Sequence, residues 1–343
     1  MQPSALPYAH GGPLATGRIK QQCEDFVVEE TLGFEPSGSG EHIFLRLEKQ
    51  GENTDFLARQ IAKFAGLPRQ AVSYAGMKDR HGRTIQWFSV HLPGKREIDW
   101  RPFESENVRV LDVTRNDRKL KIGALKGNRF RITLRDLKGE VKSVESRLET
   151  IASTGVPNFF GSQRFGREGQ NLCSAIALFR GEFTPRDRHL RGIYLSAARS
   201  EIFNRILAKR VRAGTWDKAI PGDVFMFADS HSFFREQINP DIERRIAELQ
   251  IHPSGPLWGK GESPASEDAR EIEQTTAAEV PELSAGLISA DLEMERRPLR
   301  LPVLNLSWSS PEPATLQLRF DLPAGCYATT VLREIIDFEG DLD

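Results

Sequence analysis

The chain has 343 residues, a length that suits about two domains. Hydrophobic residues make up 39% and charged residues 28%, and 47 Lys+Arg against 48 Asp+Glu leave a net charge of −1. That balance excludes a protein coated in positive charge, though not a local basic surface. No apolar run is long enough to span a bilayer.

The segment HIFLRLEK (42–49) alternates apolar and polar residues and predicts a half-buried strand. ENTDFLARQIAKFAGLPR (52–69) predicts a helix, with Phe56, Leu57, Ile61 and Phe64 on its apolar face. Asn53 or Thr54 would cap its start, and Gly66 with Pro68 would end it. AVSYAG and TIQWFSVHL read as strands on either side of a loop, MKDRHGR. VRVLDVT (108–114), LKIGAL (120–125) and RFRITLRD (129–136) read as three more strands. Gly127-Asn128 is a hairpin-type turn signal between the last two. In the third, Phe130, Ile132 and Leu134 share one face and Arg129, Arg131 and Arg135 the other. A helix is expected over 141–153.

The character changes near residue 154. An aromatic, glycine-rich and basic segment, VPNFFGSQRFGREGQN, gives way to helical patterns. Residues 262–282 are strongly acidic and read as a solvated helix or flexible segment. TLQLRFDL (315–322) is again a clean strand, followed by a glycine turn and a short helix. Strands, then helices, then a strand suggest an α+β domain with a helical insertion.

Asp79 sits in the loop with Lys78, Arg80, His81 and Arg83. A lone aspartate in a turn commonly bonds its own backbone. Against that, Lys78, Arg80 and the distant Lys20 would favour its ionised form. No second carboxylate lies nearby in sequence, so two-carboxylate glycosidase chemistry has little support. An isolated anionic aspartate suits a nucleophile or general base. On residues alone the two readings stand level. His81 reads as a surface or turn histidine, Thr84 as a strand residue, and Gln86 as a residue able to hold the loop in shape.

The stretch 115–135 has Asp117 as its only acid. It is either a solvated sheet face or a surface that tracks phosphates. Phe130 is either core or a ring that stacks on a base. NFFGSQRFG (158–166) is either a nucleotide-holding segment or a packed hinge. Neither a Walker A nor a GxGxxG motif occurs, so no nucleotide cofactor is expected. Cys23, Cys173 and Cys326 are far apart, without a CxxC pair. A disulfide framework and a structural zinc site are not expected, and a reducing, cytoplasmic setting fits. The N-terminal residues lack the pattern of a secretion signal.

Taken together, CEDFVVEE (23–30), AGMKDRHGRTIQ (75–86), GNRF (127–130), PNFFGSQRFG (157–166), LSAARSEIFN (195–204) and LPAGCYATTVLRE (322–334) carry a specific pattern. With these motifs in this order, the sequence resembles the TruD family of tRNA pseudouridine synthases over nearly its whole length. The resemblance implies a V-shaped α+β protein with an RNA cleft between its arms. One arm would be a catalytic domain with a mixed, mainly antiparallel sheet, formed by 1–153 and 303–343. The other would be an inserted α+β TRUD domain, 154–302. It implies isomerisation of uridine to pseudouridine in tRNA, typically at position 13, without metal or cofactor. Asp79 matches the catalytic aspartate, attacking ribose C1′ or abstracting the 2′ proton. Lys20 matches its basic partner, and Asn128 and Phe130 the residues beside the site, with Gln86 in support. Lys78, Arg80, Arg129, Arg131, Phe160, Gln163, Arg164 and Arg167 are the expected RNA contacts. Cys23 stands where proline is expected, and Cys326 where serine is usual. A monomer without a protein partner is expected. The rival readings are a non-catalytic RNA-binding protein and a hydrolase of an N-glycosidic bond.

Overall fold

The computed structural model describes residues 2–78, 82–94 and 96–339. They form two compact units. The sheet unit holds residues 15–140, 304–325 and 337–339. The helix-rich unit holds 2–14, 141–303 and 326–336. Among the described residues no helix is long and apolar enough to cross a membrane.

The sheet unit is built on one large mixed sheet. Its strands run in the order Leu304–Ser309, Leu316–Pro323, Leu125–Gly139, Phe26–Leu32, Arg83–His91, His42–Gln50, Val108–Asn116. Only the Phe26–Leu32 and Arg83–His91 pair within that order is parallel, so the expected mixed, mainly antiparallel sheet is the one found. Alternation fixes its phases. Ile43, Leu45 and Leu47 are buried on one strand, and Phe130, Ile132 and Leu134 on another. The helix Thr54–Ala65 covers one face. Asn53 caps it, its side chain accepting from the Asp55 and Phe56 amides, and Gly66 ends it in a left-handed turn. Its buried stripe is Leu57, Ala58, Ile61, Ala62 and Ala65. Phe56 and Phe64, expected on that stripe, lie on its exposed flank. Phe64 instead packs against the rings of Trp100 and Phe103.

Two sequence expectations need correction. Residues 120–124 form a turn, not a strand. Gly127-Asn128 is no hairpin turn, because both residues lie inside the Leu125–Gly139 strand. Glycine is required at 127 for another reason. A Cβ there would lie 2.4 Å from the Leu322 carbonyl oxygen of the neighbouring strand.

In the helix-rich unit the long helix Arg188–Arg212 is the central element, buried from Leu195 to Val211. A four-stranded sheet, invisible to the sequence reading, accompanies it in the order Phe233–Arg235, Val224–Phe227, Ile251–Leu257, Glu295–Pro298. The acidic stretch is not merely solvated. Its helix Glu267–Ala278 buries Ala269, Glu273, Thr276 and Ala277, and Glu273 pairs with the buried Arg296 at 2.8 Å. The N-terminal residues form a strap within this unit. Ser4 N–H donates to Glu201, and Ala9 and His10 N–H donate to Glu334. Arg333 donates to the Leu6 and Pro7 carbonyls, and Arg147 to that of Gly12.

His252 is buried in this unit, and its Nδ1 accepts from Arg300 Nε at 3.0 Å. Its proton therefore sits on Nε2, which is buried without a partner among the described residues. Burial, with help from the Arg300 charge, lowers its pKa to about 3. The unfolded chain takes up this proton first as pH falls below about 6.5. Stability is thus present above that pH and is lost toward the folded value. His252 alone should cost about 2 kcal/mol between pH 7 and pH 5. Urea unfolding at both pH values should show His252→Gln losing correspondingly less than the parent chain.

Candidate active site

Asp79, Arg80 and His81 lie outside the described residues. The chain leading to them is held by a buried polar network in the sheet unit. Gln86 is fully buried, and its Nε2 donates to the Gly76 carbonyl at 2.7 Å. Its Oε1 accepts from the Thr54 hydroxyl at 3.0 Å, and that hydroxyl in turn accepts from Lys78 N–H at 3.1 Å. Lys78 Nζ lies 2.7 Å from Glu30 Oε1. The second Glu30 oxygen accepts from Trp87 N–H at 2.8 Å. Burial pushes the Glu30 carboxyl above the usual carboxylate range, and the Lys78 ammonium pulls it back down. Every polar group in the network has a partner, the condition under which a buried network stiffens a fold. On the far side of the loop, a Cβ at Gly82 would come 2.8 Å from the Phe26 carbonyl oxygen. The chain passes close over that backbone as it enters the strand Arg83–His91.

Gln86 thus holds the chain at Gly76, three residues before Asp79. Lys78, expected to meet RNA, has its ammonium matched inside the fold and is only about one-tenth exposed. Glu30 and Thr54 are participants that sequence reasoning did not single out. The signal for Glu30 was its phase. It continues the inward alternation of Phe26 and Val28, and a carboxylate on a buried phase needs a cation.

Lys20 takes a left-handed backbone conformation, with Nζ 4.6 Å from the Phe26 ring centre. The Phe26 ring meets Phe130 edge-on at 6.3 Å, and Phe130 stacks on Phe320 at 5.4 Å. Phe130 is 6% exposed, so it is first a packing residue of this face. Among the described residues, Asn128 Oδ1 is a buried acceptor without a donor. On the opposite face, Arg135 is engaged with buried Asp25, and Arg129 lies 3.2 Å from Asp321. The Arg131 side chain makes no ion pair or hydrogen bond among the described residues. One face of the sheet unit thus carries the Lys20–Phe26–Phe130 cluster, while Arg129 and Arg131 lie on the other face.

Phe160, Gln163, Arg164 and Arg167 lie in the helix-rich unit. The Asn204 carboxamide bonds both the N–H and the carbonyl of Phe160 at 2.9 Å. Two guanidinium groups lie over the Phe160 ring, Arg297 at 4.1 Å and Arg164 at 5.4 Å. This ring is therefore packed. Arg164 also donates to Ser196 Oγ, while Arg167 is exposed with no partner among the described residues. Gln163 lies in the short turn Ser162–Phe165, and Cys326 Sγ is 3.5 Å from Asn158 Oδ1.

A large mixed sheet with a buried polar network beneath residues 76–78, joined to a helix-rich unit, defines the class as a two-unit α+β protein. A Methanosarcina mazei protein described as a tRNA pseudouridine synthase D (TruD) shares that fold with a TM-score of 0.68. The two are 23% identical, and the match covers 96% of this chain and 95% of that one. The chain belongs to the TruD family, whose model, tRNA pseudouridine synthase D (TruD), matches residues 4–184 and 170–335. The chain is 52% identical to a tRNA pseudouridine synthase D of Methylococcus capsulatus, across 97% of its own length and 95% of the relative's. It is 51% identical to that of Nitrosococcus oceani, across 96% and 93%.

Proposed function

We propose that this protein isomerises uridine to pseudouridine in tRNA, at position 13, with Asp79 as the group that acts on the ribose. The observation that carries the reading is the family match, which runs through both units at about half identity to two relatives. In the reaction the N1–C1′ bond breaks and a C5–C1′ bond forms. The C5 proton leaves and N1 gains one, so no atom is added or lost.

The residues present suit that task. The anchored arm at 76–78 sets where the chain enters the loop. Asn128 Oδ1 can accept from a substrate hydroxyl or imide N–H, satisfying an otherwise costly buried acceptor. Lys20 brings positive charge over the Phe26 ring, and a cation of this kind favours the ionised form of a carboxylate that comes near it. The test is chemical mapping of pseudouridine in unmodified tRNA after incubation with the protein. Conversion at position 13 is expected. Release of free uracil would identify a hydrolase instead, and binding without conversion a non-catalytic binder.

Arg131 and Arg167 have no partners among the described residues and suit phosphate contacts. Affinity for tRNA should therefore fall steeply with salt. Arg131→Ala and Arg167→Ala should each flatten the slope of log K against log salt by about one. Unchanged slopes in a filter-binding series would remove those two residues from the interface.

A further inference from the structure

Met77 stands out against the arm that carries it. Its neighbours are fixed: Gly76 by Gln86, and Lys78 by Thr54 and Glu30. Between them the Met77 side chain is 57% exposed, two residues before Asp79. A buried ion pair and two buried polar side chains thus hold a short platform that presents a long apolar side chain to solvent.

A second exposed apolar side chain sits on a turn bonded to the chain just before this arm. Gly123 N–H donates to the Ala75 carbonyl at 3.0 Å, which ties the 121–124 turn to the arm. Ala124 N–H closes that turn onto Lys121, and Gly123 has φ of 82°. Ile122 at its tip is 84% exposed. Lys119, Lys121 and Lys126 around it are all exposed. A single exposed apolar residue needs no account. Two on turns bonded to each other, rimmed by lysines and leading into the reactive loop, fit a surface that meets stacked bases inside a phosphate frame.

Resting on the tRNA-isomerase reading above, we propose that Met77, flanked by Ile122, is a wedge that fills the place in the RNA stack left by the extruded uridine. A uridine in folded RNA has to leave its stack before C1′ is reachable, and the gap it leaves is apolar. An unbranched thioether fills an irregular gap well. The lysines would hold the strands on either side. Met77 is here a positioning residue and touches no reacting atom.

The test compares single-turnover conversion of two RNAs. In one the target uridine is paired, and in the other the base opposite it has been removed. Met77→Ser should slow the paired substrate by roughly 10- to 100-fold and the unpaired one by less than about threefold. Met77→Leu should restore most of the rate. A 2-aminopurine beside the uridine should brighten when RNA binds the Asp79→Asn chain, and lose that gain when Met77→Ser is added. Equal slowing of both RNAs, or of neither, would overturn the wedge. A wild-type chain that makes no pseudouridine, or an Asp79→Asn chain that keeps its rate, would overturn the underlying reading, and the wedge with it.

Discussion

The Asp79→Asn chain should bind tRNA within about threefold of the parent and convert at least about 10³-fold less uridine. The amide keeps the shape of the side chain but lacks the negative charge and the basicity that either route needs. Attack on C1′ requires a carboxylate lone pair carrying charge, and abstraction of the 2′ proton requires a base. Because the expected phosphate contacts come from other residues, affinity should persist. Filter binding and pseudouridine mapping on the same preparation separate the two effects. A variant that still modified tRNA near the wild-type rate would remove Asp79 from the chemistry.

Breaking the pair beneath that loop should be the most damaging change to stability. Lys78→Met leaves the Glu30 carboxylate buried and unmatched, which should cost about 3–5 kcal/mol at pH 7. The sign of its pH dependence follows from the direction of the Glu30 shift. Burial already raises this carboxyl, and removing Lys78 removes the main influence holding it down. A carboxyl raised in the folded state favours folding once protonated, so part of the loss should return as pH is lowered. Urea unfolding across pH 7 to 5 measures this. Activity should fall as well, because the residue leading into the loop loses its anchor, and a small displacement at a reacting centre can cost about 10²-fold in rate. Adding Glu30→Leu should recover stability without recovering activity. Stability unchanged in Lys78→Met would show that the pair contributes nothing to the fold.

Strands with one wet and one dry face were readable from period alone, as for His42–Gln50 and Leu316–Pro323. Gly127 was misread because one letter serves two purposes. Glycine marks a turn, and it also marks a strand position where a neighbouring backbone crowds in. The strand Ile251–Leu257 contains two prolines and a glycine, which is loop composition, and its place in a sheet is decided by partners far along the chain. The candidate site shows the same division. Gln86 could be placed beside the loop because it is local to it. The partner of Lys78 could not, because Glu30 meets it only after a parallel pairing brings the strands Phe26–Leu32 and Arg83–His91 together. Phe56 and Phe64 were assigned inward on hydrophobicity, yet only part of a helix circumference meets the sheet.

The helix-rich unit draws on three separated stretches of chain, and Ala9 and His10 donate to Glu334 across almost the whole sequence. On the ribosome this has a temporal meaning. Domains generally fold as they emerge, the N-terminal parts first. Here the opening strap has no complete binding site until Arg333 and Glu334 have been synthesised and have cleared the exit tunnel. The strap at Ala9 must therefore wait for Glu334, 325 residues further along the chain. The helix-rich unit is complete only once residues 326–336 have joined it.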